Sequence, residues 1–418
     1  MSSQDEKATP YDAGPLVRPF VGLRPPAARA AEFAAPPYDV LSSDEARLRA
    51  ADRPDSFLHI TKPEIDFAPG TAPEGAVLHA HAGARFRAMC ADGRLVADPA
   101  PRYTLYRLTR GAHSQTGVAL AASLDAYRSG RIRRHELTRP DKEDDRVLNI
   151  EGVGAQTEPV LLVHRPDPEL GAEIEALVAA RPEVEFTDDE EVGHALWPVA
   201  DAAAIKVLDA RLNGLDALYI ADGHHRSAAA ARIAERQLQD AAAWFLAVAF
   251  SAESVRILDY NRVVRDLGDL SAEGFLDRLG AAFEVVQADA PVRPVARHEF
   301  GLVLAGRWYR LGLRRPPGAD APALERLDAE LLARHLLEPI LGITEPRTDP
   351  RVDFIGGVRG LAALEAAVAS GGWAVGIALY PTAIDDLMAV ADAGLVMPPK
   401  STWFDPKLAD GLVSYPFA

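Results

Sequence analysis

A single cysteine, Cys90, occurs in 418 residues. That excludes an intramolecular disulfide and any zinc site built on cysteine pairs. Lysine is nearly as scarce, with six lysines among 45 basic residues. Long apolar runs are missing too. The longest, 241–250, falls well short of the roughly 18 residues that a membrane span needs, and it reads as a buried strand. No GxxxxGK[ST] sequence occurs, which excludes a Walker-type phosphate loop. Positive charge is in deficit, the formal net charge being −16. This opposes non-specific binding to nucleic acid, whose affinity comes largely from basic residues that neutralise phosphates, and no helix with a basic recognition face stands out. The first fifteen residues are polar and carry no apolar signal core. A cytoplasmic protein is expected, with no membrane and no nucleic-acid partner; the lone cysteine agrees with a reducing compartment.

The remaining composition is that of a globular chain, 48% hydrophobic and 25% charged. Its length exceeds what one core fills and implies two or three domains. Residues 1–15 read as a flexible tail. From there to about 255, strand-like runs at 103–108, 117–122, 159–163 and 243–250 alternate with helical patterns at 75–92, 169–179, 202–212 and 226–237, the order of an α/β or α+β sheet domain. A change of character near 255 opens a second α/β domain, 256–418. It has strands near 300–304, 308–313, 352–356 and 373–379, and helices near 327–337, 361–369 and 384–393. No internal repeat or low-complexity tract is present.

The most informative stretch is Leu218-Tyr219-Ile220-Ala221-Asp222-Gly223-His224-His225-Arg226-Ser227. An apolar strand ends at Asp222, Gly223 lets the backbone turn tightly, and a helix follows whose unpaired N–H groups and positive dipole end favour an anion. Phosphate suits this loop, because Arg226 can hold two of its oxygens in one plane. The plainer alternative is that Asp222 caps the helix while the basic residues lie in solvent. His224 and His225, adjacent in sequence, diverge too far to share a zinc ion.

Three other segments carry candidate chemistry. In Ala35-Pro36-Pro37-Tyr38-Asp39-Val40 two prolines stiffen the approach to Tyr38 and Asp39, ahead of a helix capped at 42–45. A basic cluster at 128–146 includes Lys142 and Arg146 around Arg134-His135-Glu136-Leu137-Thr138, although interleaved acids make a self-paired surface loop equally consistent. Pro398-Pro399-Lys400-Ser401-Thr402 could bring an ammonium and hydroxyls to phosphate, or could be a turn before a C-terminal helix.

Taken together these boxes resemble a bacterial and archaeal family of unknown function whose hallmarks are APPYDV, HExT…KxDR, YIADGHHR and PPKSTWF. Here they are residues 35–40; His135, Glu136 and Thr138 with Lys142, Asp145 and Arg146; residues 219–226; and residues 398–404. The resemblance spans nearly the whole chain. The GHHR element is in turn similar to the phosphate-binding signature of the ParB and sulfiredoxin superfamily, which includes kinases of free L-serine. The resemblance implies a ParB/sulfiredoxin-like mixed sheet domain, ATP or ADP as donor, and O-phospho-L-serine as product. Sulfinic-acid repair is not implied, because His224 stands where sulfiredoxins have cysteine.

Phosphoryl transfer to a serine hydroxyl needs phosphate clamps, usually Mg²⁺, and a carboxylate to orient or deprotonate the nucleophile. The expected clamps are Gly223, His224, His225, Arg226 and Ser227, with Lys142 and Arg146 neutralising the transferred group and Lys400 a further candidate. Glu136 is the first choice for the base and Asp39 the second; Asp222 is a third carboxylate able to take that part or to bind the metal. Arg24 and Asp39 are the guesses for the carboxylate and amine of the amino acid. The partner is thus a small molecule, free L-serine or similar, and a homo-oligomer is allowed. A different phosphotransferase or nucleotide hydrolase, and a non-catalytic nucleotide-binding regulator, stay open as alternatives.

Overall fold

The computed structural model describes residues 14–236 and 240–417. Most of the expected tail at 1–15, and the expected helix end at Gln237, lie outside the described residues. The chain divides into two units. The first takes residues up to Arg133, Thr138–Ser254 and the segment from Pro406 on; the second takes Arg134–Leu137 and Val255–Asp405.

The first unit is built on a nine-stranded mixed sheet. In spatial order its strands are Ile132–Arg133, Leu218–Asp222, Val160–His164, Trp244–Ser251, His113–Ser123, Thr104–Arg110, Val192–Pro198 and Val184–Thr187, with Val17–Arg18 beside the end of His113–Ser123. Two pairings are parallel, Leu218–Asp222 with Ile132–Arg133 and Trp244–Ser251 with Val160–His164; the others are antiparallel. Trp244–Ser251 is central and buried along nearly its whole length, so its sequence is a continuous apolar run, not an alternation. Its Phe245, Ala247 and Ala249 join a core completed by Leu170, Ile174 and Val178 of helix Pro168–Val178 and by Leu208 and Leu212 of helix Ala202–Asn213. Both helices begin on an aspartate cap, Asp167 and Asp201, whose side chains accept the orphan N–H groups of Leu170 and Ala204.

A satellite core of Phe33, Phe57, Leu58, Phe86 and Met89 sits under helix Ala76–Ala91. This helix crosses helix Pro140–Val153 with backbones in contact: a Cβ on Gly83 would lie 1.9 Å from the Gly152 carbonyl oxygen. Only glycine permits that approach, and it brings His79 against Asp145 and Asn149. Helix Pro140–Val153 in turn packs Val147 and Ile150 on Ala229 and Ile233 of helix His224–Ala234. The segment from Pro406 on runs along the same unit. Ala35 and Asp410 exchange backbone hydrogen bonds of 3.1 and 2.8 Å, Leu23 and Ser414 do likewise at 2.9 Å, and Tyr415–Pro416 pairs with Ala155–Gln156.

The second unit has a six-stranded, wholly antiparallel sheet in the order Phe283–Ala288, Arg307–Leu313, Glu299–Leu304, Val375–Leu379, Tyr260–Val264 and Val352–Gly356. Side chains alternate between its faces: Val264, Leu302 and Ile377 meet Phe275 and Leu332 on one side, while Val263, Val303 and Ala378 meet Leu364 on the other. Two expectations change here. The helix expected at 327–337 is α-helical only over Asp328–Leu332, widens to a π-turn over Ala333–Leu337 and resumes as Glu338–Leu341. Pro339 supplies the cause, since its ring would strike the carbonyl four residues back in a regular helix and it has no N–H to donate. No helix follows the Pro-Pro-Lys-Ser-Thr segment; Trp403–Phe404 instead pairs with Ile257–Leu258.

Candidate functional site

Strand Leu218–Asp222 carries the chain out of the buried sheet, and Gly223 turns it at φ 98° directly into helix His224–Ala234. Left-handed backbone of this kind favours glycine. Space matters as well, because a Cβ on Gly223 would lie 3.0 Å from the Arg226 guanidinium. That guanidinium is buried, the residue being 6% exposed. Its Nη1 donates to the Pro159 carbonyl and Nη2 lies 3.7 Å from Asp222. Among the described residues its Nε and Nη2 donors, which face Gly223, make no hydrogen bond. Burial disfavours its charge, but Asp222, Asp39, Glu158 and Asp410 outweigh that and raise its pKa.

Asp222 does not cap the helix with its side chain. It accepts a 2.6 Å hydrogen bond from Lys407 Nζ. Burial pushes its carboxyl up, yet Lys407 and then Arg226 outweigh burial and hold it below the usual carboxylate range. Of the remaining loop residues, His224 is buried and His225 is half-buried, its Nε2 accepting the Arg139 backbone N–H at 3.1 Å. Ser227 is fully buried, and its hydroxyl donates to the His224 carbonyl at 3.0 Å. The hydroxyl is thereby committed to its own helix.

Arg146, expected as a clamp, is 2% exposed and already engaged. It donates to Asp145 at 2.6 and 3.0 Å, to Glu158 at 2.8 Å and to the Thr61 carbonyl, and its guanidinium stacks 3.9 Å from the Tyr38 ring centroid. It therefore organises carboxylates. Burial opposes the charge of Asp145 as well, but His79 and Arg146 outweigh it and keep the carboxyl low. Lys142 is exposed on the first turn of Pro140–Val153. Asp39 is exposed on the turn after Tyr38 and makes no ion pair among the described residues, while Tyr38 itself is buried, which raises the pKa of its phenol. Arg24 is committed to Asp98 at 2.7 Å and Glu183 at 3.0 Å.

Glu136 and Lys400 belong to the second unit. Glu136 follows His135, whose carbonyl accepts the Met397 N–H at 2.8 Å. Lys400 is exposed at a left-handed φ of 54°, on a turn locked by the Ser401 hydroxyl donating to the Pro398 carbonyl at 2.7 Å.

Three charged residues of the first unit escaped the sequence analysis: Glu158, Lys407 and Asp410. Glu158 precedes a buried strand, and Asp410 interrupts an otherwise apolar stretch; a carboxylate in such a setting is the signal that could have found them. Asp410 is fully buried, and among the described residues neither of its carboxylate oxygens has a hydrogen-bond partner, nor does Oε1 of Glu158. Burial and the neighbouring Glu158 push the Asp410 carboxyl well up, with Arg226 pulling back.

A family model matches residues 17–330, three quarters of the chain. The chain belongs to the DUF1015 family, whose function is unknown. This DUF1015 protein matches no curated protein. Among solved structures it is similar to a conserved hypothetical protein from Pyrococcus furiosus, at 14% identity and a TM-score of 0.35, covering 72% of this chain and 95% of that one. It is also similar to a free serine kinase in complex with AMP, at 15% identity and a TM-score of 0.34, covering 69% and 86%. A third is SbnI with a C-terminal truncation from Staphylococcus aureus, at 10% identity and a TM-score of 0.37, covering 72% and 87%. No helix among the described residues is long and apolar enough to cross a membrane.

Proposed function

We propose that this DUF1015 protein is a nucleotide-dependent phosphotransferase, of ParB/sulfiredoxin-like type, that phosphorylates the hydroxyl of free L-serine with ATP or ADP as donor. The observation that carries the reading is Arg226. A buried guanidinium with unspent N–H donors lies against a left-handed glycine turn at the start of an eleven-residue helix. Asp222 at 3.7 Å balances its charge without taking a hydrogen bond from it, so its planar fork together with the helix N–H groups is left to suit phosphate oxygens. The choice of serine rests on the similarity of the Gly223-His224-His225-Arg226 element to the phosphate-binding signature of the superfamily that includes kinases of free L-serine.

In this reading Gly223, His224, His225 and Arg226 hold the donor's phosphates. Asp222 and Lys407 fix the direction of the loop and of Arg226. Arg146 serves the site by orienting Glu158 and Asp145, and Ser227 by locking the first helical turn. The acceptor hydroxyl oxygen forms a bond to the terminal phosphorus as the bond from phosphorus to the bridging oxygen of the donor breaks, so the nucleotide leaves with one phosphate fewer. The hydroxyl proton goes to a carboxylate. Asp39 is an exposed carboxylate of the first unit that acts on Arg226, and Glu136, the first choice from the sequence, is tested beside it. Asp222 is a poor base, because Lys407 and Arg226 stabilise its ionised form. The same two cations make it a poor metal ligand. Mg²⁺ binds through one or two carboxylates plus substrate phosphates; with Glu136 as the base, exposed Asp39 would be left for that use, and the ion when bound would neutralise phosphate charge.

The test is phosphoamino-acid formation by purified protein with Mg²⁺, ATP or ADP in turn, and a panel of free amino acids and small alcohols. Serine-dependent O-phosphoserine is the expected product. Nucleotide turnover indifferent to serine would point to a hydrolase or another phosphotransferase. Tight nucleotide binding with no turnover would make the protein a regulator.

A further inference from the structure

Three arginines are buried among the described residues, Arg146, Arg226 and Arg262. The first two lie among carboxylates, Arg146 at 2.6 Å from Asp145 and 2.8 Å from Glu158, Arg226 at 3.7 Å from Asp222. Arg262, on strand Tyr260–Val264 of the second unit and 4% exposed, has no carboxylate within ion-pairing distance among the described residues. Its Nη1 donates to the Tyr260 carbonyl and its Nη2 to the Pro399 carbonyl at 3.3 Å, while the guanidinium stands 5.4 Å from the Phe354 ring centroid. Burial lowers its pKa to about 10, with only Tyr260 acting against it, so the group stays charged at neutral pH. Carbonyl dipoles and a ring face soften this charge but do not amount to the full partner that a buried charge ordinarily has. The acids closest in sequence are spent elsewhere. Asp259 takes hydrogen bonds from Arg293 at 3.2 Å and Asn261 at 2.6 Å, Asp405 pairs with Arg256, and exposed Asp353 accepts the Phe354 N–H at 2.7 Å.

Along this face of the strand Val264 belongs to the apolar core, and Arg262 and then Tyr260 follow at alternate positions. The Tyr260 ring meets Phe354 edge-on at 6.2 Å and Trp403 at 5.5 Å. Trp403 can lie there because residue 356 is glycine, whose added Cβ would stand 2.5 Å from the indole. All three rings are half-buried, so each keeps a part in contact with solvent. Lys400 is exposed, with its Nζ 5.8 Å from the Tyr260 ring centroid, on a left-handed backbone of φ 54° that lysine rarely adopts. The residue before it is Pro399, whose carbonyl Arg262 holds, so one turn ties the two cations to the same ring. From the core outwards the order is a buried cation, a set of half-buried rings and an exposed cation. We propose that Arg262 and Lys400 bind a small oxyanion, a phosphate or carboxylate group, beside the Tyr260 ring, which makes the second unit a ligand-binding unit in its own right. A guanidinium has five N–H donors; two go to carbonyls, and the others are left for charge-assisted bonds to the anion's oxygens. The inference is independent of the phosphotransferase reading, which is carried by Arg226.

The experiment is calorimetric titration of the full chain with inorganic phosphate and with acetate, in chloride at constant ionic strength. It is run on the Arg226→Ala protein, so that the Gly223 turn does not dominate the signal. At least one of the two anions should bind and should raise the melting temperature above that in chloride. Tighter phosphate identifies a phosphorylated ligand, and tighter acetate a carboxylic acid. Adding Arg262→Met should weaken this binding by at least about 10-fold, the loss of a charge-assisted hydrogen bond. In chloride alone the same change should leave the melting temperature level or higher, because an apolar side chain replaces a buried charge that has no ion pair. Lys400→Gly suits the left-handed turn and should weaken binding by at least about 3-fold, within the range of one exposed charge; it decides the matter if Arg262→Met does not fold. Binding of neither anion overturns the proposal, as does either variant, folded, that binds as its parent does. A melting temperature that Arg262→Met lowers equally in chloride and in phosphate makes the guanidinium a brace for two carbonyls, and the proposal falls.

Discussion

Replacing Arg226 with alanine removes the guanidinium that faces the Gly223 turn and leaves the helix N–H groups to hold an anion alone. A desolvated arginine paired with phosphate contributes about 2–5 kcal/mol to binding, so nucleotide affinity should fall roughly 30- to 4,000-fold at 1.4 kcal/mol per decade. Arg226→Lys separates charge from shape. Lysine keeps the charge but not the two-point fork, and the loss of one charge-assisted hydrogen bond should cost about 1.5–3 kcal/mol. Stability should drop in both variants, because the Pro159 carbonyl loses its donor. The drop should stay below the about 3–5 kcal/mol seen when a buried charge loses its only partner, since Lys407 still neutralises Asp222 at 2.6 Å. The assay is calorimetric titration with ATP and ADP, run on variants whose urea midpoints establish that they are folded. A folded Arg226→Ala protein with wild-type affinity would refute the argument and remove Arg226 from the site.

Asp222 should leave a signature in the pH dependence of stability. Burial raises its carboxyl but Lys407 and Arg226 outweigh burial, so its native pKa is depressed; its contribution is complete above the unfolded value of about 3.9 and fades as pH falls towards the lower native value. Asp222→Asn should lower the melting temperature at pH 7 and flatten this acid limb, and an unchanged limb would assign acid sensitivity to other groups. Gly83→Ala drives a methyl group into the Gly152 carbonyl and should destabilise by about 1–3 kcal/mol or more, read as a shifted urea midpoint; a neutral result would mean that the two helices separate freely. Glu136→Gln and Asp39→Asn distinguish the candidate bases. The true base should lose turnover with nucleotide affinity preserved, whereas parallel loss of both would make the residue a binding or folding element.

How far the sequence could be read depended on whether the deciding contacts were local. Leu218–Asp222 was legible because a buried strand closed by Asp-Gly is a local pattern, and mixed α and β content followed from the alternation of such runs with helical ones. The helix after Gly223 begins at His224, not at Arg226 as expected, because the left-handed glycine turns straight into helical geometry. Pro339 was visible, but its effect, a π-turn five residues wide and not a stop, depended on neighbours that hold the helix on both sides of it. Glu158 and Asp410 each carried a local signal, but their grouping with Lys407 did not, for a different reason. Nothing near Asp410 in sequence announces a carboxylate lattice, since Asp222 and Glu158 lie 188 and 252 residues away along the chain.

The route of the chain gives the segment from Pro406 on a particular place in biosynthesis. Residues 255–405 are an insertion within the first unit, so a nascent chain emerges with the strand, the glycine turn and Arg226 long before Lys407 and Asp410 exist. Until then Asp222 lacks its ammonium partner and Ala35 lacks the backbone of Asp410. The first unit thus becomes complete only after the whole insertion has been made, and a nonsense mutation just before Pro406 would spare every sequence box yet leave the charged interior of that unit unassembled.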